Sequence, residues 1–124
     1  MNINRIDIVS VPVTDQQKSK EFYENILGFE VIRDNPMPPD QRWVQLAPPN
    51  SETSITLVTW FDNMPPGSFQ GAVLDTDDIE LSYEILKSRG LELSPIKEEP
   101  WGEYVTFSDP DGNGWVLQQA SENA

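Results

Sequence analysis

A chain of 124 residues with 37% hydrophobic and 23% charged side chains can bury one self-supporting core and is too apolar for disorder. Eight Lys and Arg against 21 Asp and Glu leave a formal charge of −13, which disfavours nucleic-acid backbones and anionic lipid surfaces and favours a neutral or cationic partner. Cys and His are both absent, which excludes disulfides, thiolate and imidazole metal ligands, a Cys nucleophile and a Ser–His–Asp triad; any metal would need oxygen ligands, and any general acid or base would be Asp, Glu, Tyr or Lys.

In chain order, Met1 to Asp7 lacks the basic start and apolar run of a signal peptide, and no stretch approaches the roughly 18 apolar residues that span a bilayer, so a soluble cytoplasmic chain is expected. Ile3 to Val13 alternates and is rich in Ile and Val, which predicts a strand. Thr14 or Asp15 caps a helix whose Ser19, Phe22, Tyr23, Ile26 and Leu27 share a face, and Gly28 ends it. Strands follow at Phe29–Arg33, Trp43–Ala47 and Ile55–Phe61; Asp34–Arg42, with Pro36, Pro38 and Pro39, is expected to be a loop, and Pro48–Ser51 a turn. Asp62–Ser68, containing Pro65, Pro66 and Gly67, reads as a linker.

The order then repeats. Phe69–Asp75 is strand-like, Asp77 or Asp78 caps a helix with Ile79, Tyr83 and Leu86 on one face, Gly90 ends it, and strands follow at Leu91–Ile96, Glu103–Ser108 and Trp115–Gln119. Matching Gly28 with Gly90, Leu46 with Phe107 and Thr56 with Val116 gives two βαβββ units offset by about 60 residues. The expected class is α+β: a first module over 1–61, a linker over 62–68, a second module over 69–120 and a tail over 121–124. An ordinary α+β domain without a repeat is the plainer alternative.

Ile6-Asp7-Ile8-Val9, Val13-Thr14-Asp15, Phe22-Tyr23 and Leu27-Gly28-Phe29 resemble the opening of the vicinal oxygen chelate superfamily, which includes glyoxalase I, extradiol dioxygenases and the bleomycin and fosfomycin resistance proteins. Asp77-Asp78-Ile79, Leu86-Lys87-Ser88-Arg89-Gly90, Pro100-Trp101-Gly102 and Phe107-Ser108-Asp109-Pro110-Asp111-Gly112-Asn113 extend the likeness over nearly the whole chain. The resemblance implies two βαβββ modules forming an open, cavity-enclosing mixed sheet. It places the metal-ligand positions of metal-dependent members at Ile8, Thr56, Gly71 and Val116, where only Thr56 carries a lone pair. No metal and no cofactor are therefore expected, and the chain looks like a metal-free branch.

If Val44, Leu46, Val105 and Phe107 face the helices, strand alternation turns Trp43, Gln45, Tyr104 and Thr106 to the cavity, and with them Ile8, Ser10, Thr56, Val58, Trp60, Val73, Val116 and Gln118. Such a wall suits a small-molecule pocket; the plainer alternative is a closed core, in which Gln45 and Gln118 would need partners. Trp101 either overhangs the cavity mouth or covers a turn. The aromatic side chains could stack a planar or cationic ligand, or pack the core. Asp109, Asp111, Asn113 and Gly114 match the first half of a calcium loop, but the twelfth position is Ala120, so a tight hairpin is expected. Glu98 and Glu99 read as solvated surface.

The function expected is binding of a small organic ligand without metal, as bleomycin resistance proteins bind theirs. A lyase or isomerase resembling glyoxalase I (lactoylglutathione lyase) is the alternative, with Tyr104, Asp75 or Glu30 as acid or base; whether any catalysis occurs is open. A homodimer is expected, with cavities at or near its interface, because open half-barrels leave apolar surface and strand edges in water.

Overall fold

The computed structural model describes residues 1–121, so of the expected tail only Ser121 falls within it. β1 (Ile8–Pro12) leads to α1 (Gln16–Glu21), which passes directly into a π-helical turn, Phe22–Ile26. Then come β2 (Glu30–Met37), β3 (Gln41–Ala47) and β4 (Ser54–Val58). The second half holds β5 (Gln70–Asp75), α2 (Ile79–Ser88), β6 (Lys97–Glu99), β7 (Gly102–Ser108) and β8 (Gly114–Ala120). Each half makes its own four-stranded mixed sheet, β1-β4-β3-β2 and β5-β8-β7-β6, with β1 parallel to β4 and β5 parallel to β8. The repeat and the α+β class are as expected; neither sheet closes into a barrel.

Both helix starts are capped by the expected aspartates: Asp15 accepts from the Lys18 backbone N–H and Asp78 from that of Leu81, each at 3.1 Å. Gly28 and Gly90 end the helical segments at φ of 75° and 91°, a left-handed turn that a Cβ would oppose. The predicted apolar face of the first helix survives the π turn. Ser19 and Tyr23 are buried, and Phe22, Ile26 and Leu27 pack against the core.

Four expectations need correction. The first strand is Ile8–Pro12 rather than 3–13, because Arg5 to Asp7 only runs beside β4, where Asp7 accepts from the Ser54 N–H. Asp34–Arg42 is not a loop: β2 continues to Met37 and β3 starts at Gln41. β2 is an edge strand, where Pro36 can lack an N–H without breaking a ladder. Asp34 also fastens this hairpin, accepting from Arg42 Nε at 2.7 Å, Arg42 Nη2 at 2.6 Å and Lys20 Nζ at 2.8 Å. β4 ends at Val58, which leaves Trp60 outside the sheet. The third strand of the second module is Lys97–Glu99 rather than Leu91–Ile96. Residues 91–96 meet β7 only locally, through the Ser94 N–H to Thr106 O at 3.0 Å and the Thr106 N–H to Ser94 Oγ at 2.8 Å.

One core serves both halves. Val11, Tyr23, Val44, Leu46, Ile55 and Leu57 from the first join Ile79, Leu86, Val105, Phe107, Trp115 and Leu117 from the second in one buried cluster. Alternation along the strands then turns the other face of each sheet away from this core.

The β7–β8 turn, Asp109 to Asn113, ties the halves together. Asp109 is 5% exposed, and its Oδ2 accepts from the Tyr23 hydroxyl at 2.7 Å and from Asn113 Nδ2 at 2.8 Å, while Oδ1 accepts the Asp111 and Asn113 backbone N–H groups. Trp115 Nε1 donates to the Tyr23 hydroxyl at 3.0 Å. Asn113 also donates to Pro12 O and accepts from the Phe69 N–H, and Asp111 accepts from the Thr14 N–H. Burial, then the Asp109 charge, pushes the Tyr23 phenol well above the ordinary tyrosine range. The calcium-loop carboxylates are thus spent on backbone and side-chain donors, as a structural turn requires.

Candidate ligand-binding walls

The outward face of the first sheet carries a row set by strand register: Ser10 beside Thr56, and Thr56 beside Gln45. Ile8 lies beside Ser54, and Trp43 stands two residues from Gln45 on the same face. Apart from the half-buried Ser10, this wall pairs its own polar side chains. Trp43 Nε1 donates to Gln45 Oε1 at 3.0 Å, Gln45 Nε2 to Ser54 Oγ at 2.8 Å, and Thr56 Oγ1 to Val44 O at 3.1 Å. Gln45, Thr56 and Val58 are buried. The partners that a closed core would require of Gln45 are present: both ends of its amide are used.

The outward face of the second sheet aligns Val73 with Val116 and Thr106, and Asp75 with Gln118 and Tyr104. It stands open, with Val73 53% exposed, Thr106 exposed, and Tyr104, Val116 and Gln118 half-buried. Trp101, in the turn between β6 and β7, stacks on Tyr104 with ring centroids 5.4 Å apart and planes at 23°, and it is 43% exposed. Trp60 instead leans on Phe61 at 6.3 Å. A cavity of about 680 Å³ opens on this sheet beside Thr106 and Val116.

Sequence reasoning missed Ser54, Glu92, Ser94 and Ser108. Ser54 and Ser108 follow from the same alternation carried one step further along β4 and β7. Glu92 and Ser94 lie in 91–96, which the sequence reads as a strand but which joins no sheet, so strand alternation is the wrong guide to where they face.

The resemblance puts the ligands of a divalent metal at Ile8, Thr56, Gly71 and Val116, and the donor set there does not fit one. Ile8, Gly71 and Val116 have no donor atom, and the Thr56 hydroxyl is committed to Val44 O. The acid–base candidates do not converge either. Asp75 and Tyr104 are two strands apart across Gln118, roughly 10 Å at the usual strand spacing, and Glu30 lies on the other sheet.

Two four-stranded mixed sheets, each from one βαβββ unit and both packed on one core, define a repeated α+β fold. The sequence profile of the Glyoxalase/Bleomycin resistance protein/Dioxygenase superfamily matches residues 5–117, and the chain belongs to that superfamily. It is 45% identical to TnmS3, an antibiotic binding protein from Streptomyces sp. CB03234, with a TM-score of 0.93 over 98% of this chain and 99% of that one. The uncharacterized protein YetH of Bacillus subtilis (strain 168) is 38% identical over 121 residues, 94% of this chain and 99% of the relative. The mitochondrial methylmalonyl-CoA epimerase of Bos taurus is 25% identical over 134 residues, 98% of this chain and 75% of the enzyme.

Proposed function

We propose that this chain binds a small organic molecule, neutral or cationic, without metal, between the first-sheet wall of one copy and the second-sheet wall of another. The observation that carries this reading is that the two sheets share one core and differ on their other faces: Gln45, Thr56 and Val58 of the first are buried, whereas Val73 and Thr106 of the second are exposed and lack a covering layer within the chain. The thirteen residues Ile8, Ser10, Trp43, Gln45, Thr56, Val58, Trp60, Val73, Trp101, Tyr104, Thr106, Val116 and Gln118 are the contacts this reading assigns. Exposed Ile3, Ile6, Ile8 and Val73, with β1 and β5 at sheet edges, supply apolar surface and open backbone groups for a two-fold partner. Charge favours unlike pairing. Residues 1–61 carry eight acidic and five basic side chains, residues 62–124 thirteen and three, so apposing first and second modules brings less like charge together than apposing two second modules. Similarity to an antibiotic binding protein supports the ligand class. A Cys-free chain suits a reducing cytoplasm.

The test is quenching of the tryptophans by proflavine, a planar cation, against acridine-9-carboxylate, a planar anion of like size. Saturable binding of proflavine, tighter than the anion and weakened by salt, is the expected result. Tighter binding of the anion, or no saturation with either, would overturn it. The enzyme reading draws on the epimerase similarity and the Asp75–Gln118–Tyr104 row. It lacks a preorganised donor set for an enolate-type oxyanion, which is why it comes second.

A further inference from the structure

We propose that the open notch at Gly71 on the second-sheet wall is a subsite for a hydroxyl- and amine-bearing group, such as an amino sugar, attached to the flat part of the ligand. This rests on the cup reading only for the place of the flat part, which goes to the aromatic first-sheet wall. Gly71 is the extra residue of a β-bulge between Gln70 and Ala72 and has no Cα partner on β8. Its φ is 85°, and no atom lies within 4 Å of where a Cβ would stand. The result is a floor with no side chain in the way. Gly71 lines the 680 Å³ cavity together with Ser94, Thr106, Ser108, Val116 and Glu92.

The two walls differ in what they leave unspent. On the first sheet Trp43, Gln45, Ser54 and Thr56 hydrogen-bond to one another or to backbone, and of these only the Trp43 ring is not buried. On the second, Thr106 and Ser108 are exposed with hydroxyls not committed to other described residues, and Glu92 is in no ion pair among the described residues. Hydroxyls that donate and accept, an open floor at Gly71 and a carboxylate without an ion-pair partner among the described residues match a polyol carrying an ammonium better than either an apolar group or an anion. The charge of this half, with only three basic residues over 62–124, has the same sign preference.

The test is an amide-resolved NMR titration of the full chain with glucosamine, glucose and glucuronate at tens of millimolar. Glucosamine is expected to shift the Gly71, Thr106 and Ser108 amides saturably, glucose more weakly, and glucuronate least. Glu92→Gln should weaken glucosamine about threefold, the size of one solvent-screened ion pair, and bring it level with glucose. Gly71→Asn, a residue that tolerates the left-handed conformation, should abolish the shifts for all three sugars. No saturable shift at these amides, or an equal response to glucuronate, would overturn the proposal. Proflavine quenching of the wild-type tryptophans separates the outcomes: proflavine binding with no glucosamine response removes the notch and leaves the cup, whereas glucosamine binding without proflavine removes the cup and leaves the notch.

Discussion

Replacing Tyr23 by Phe removes one oxygen from the junction between the modules and leaves the tilted and edge-on ring contacts with Phe29 and Trp115 in place. The hydroxyl donates to Asp109 Oδ2 at 2.7 Å and accepts from Trp115 Nε1 at 3.0 Å, and both partners are buried, at 5% and 4% exposure. The Trp115 N–H would lose its partner where water does not reach, and the Asp109 carboxylate would keep Asn113 and two backbone donors but lose its shortest bond. One orphaned donor plus one lost charge-assisted bond sums to about 2–4 kcal/mol. Urea denaturation at pH 7 should show this loss as a lower midpoint with an unchanged slope. Because the outward walls do not include Tyr23, proflavine binding below the transition should match wild type. A loss under about 1 kcal/mol would refute the view that this network joins the two halves.

Three further outcomes follow from the same geometry. The Tyr23 phenol is raised by burial, so the unfolded chain ionises first as pH rises above about 10; stability should fall there in wild type and fall less in Y23F, checked by urea midpoints between pH 9 and 11. The Asp34 carboxyl is held well below the usual range by its Arg42 and then its Lys20 hydrogen bonds, so its contribution is present above about pH 4 and is lost as pH falls below that; D34N should flatten the acid limb of the stability profile. Gly102→Ala would drive a Cβ into the Gln119 carbonyl oxygen at a φ of 148°, and should lower the thermal midpoint through the β7–β8 pairing while leaving Trp101–Tyr104 as the nearest aromatic reporter of the disturbance.

Much of the fold was legible because its signals are local. Asp15 and Asp78 are helix caps, Gly28 and Gly90 are helix ends, and alternation around Val44–Leu46 and Val105–Phe107 gives the sheet faces. The errors came where position in the sheet overrides composition. Pro36 looks like a loop residue but sits on an edge strand, and Leu91–Ile96 is apolar enough for a strand but touches β7 only at Ser94. The turn motif from Asp109 to Asn113 was recognisable as a turn; its role as the tie between modules depends on Tyr23, 86 residues away, which no local pattern connects to it. The wall residues Ser10, Thr56 and Gln45, and Val73, Val116 and Thr106, fall in two register rows as alternation predicted. What the sequence could not say is that the first row is buried and largely paired and the second is open, because that depends on the rotamers and strand register that bring Trp43 to Gln45, Gln45 to Ser54 and Thr56 to the Val44 carbonyl.

The most direct test of the central claim mixes two variants, each blocked on one wall. Trp43→Ala removes the aromatic surface of the first-sheet wall, and Thr106→Trp fills the second. If each cup takes one wall from each copy, both variants alone should fail to bind proflavine, and an equimolar mixture, after exchange of subunits, should regain about a quarter of the wild-type sites, with light scattering giving a mass near twice 14.1 kDa. A mixture that regains no sites, or a chain that binds as a monomer, would contradict the account.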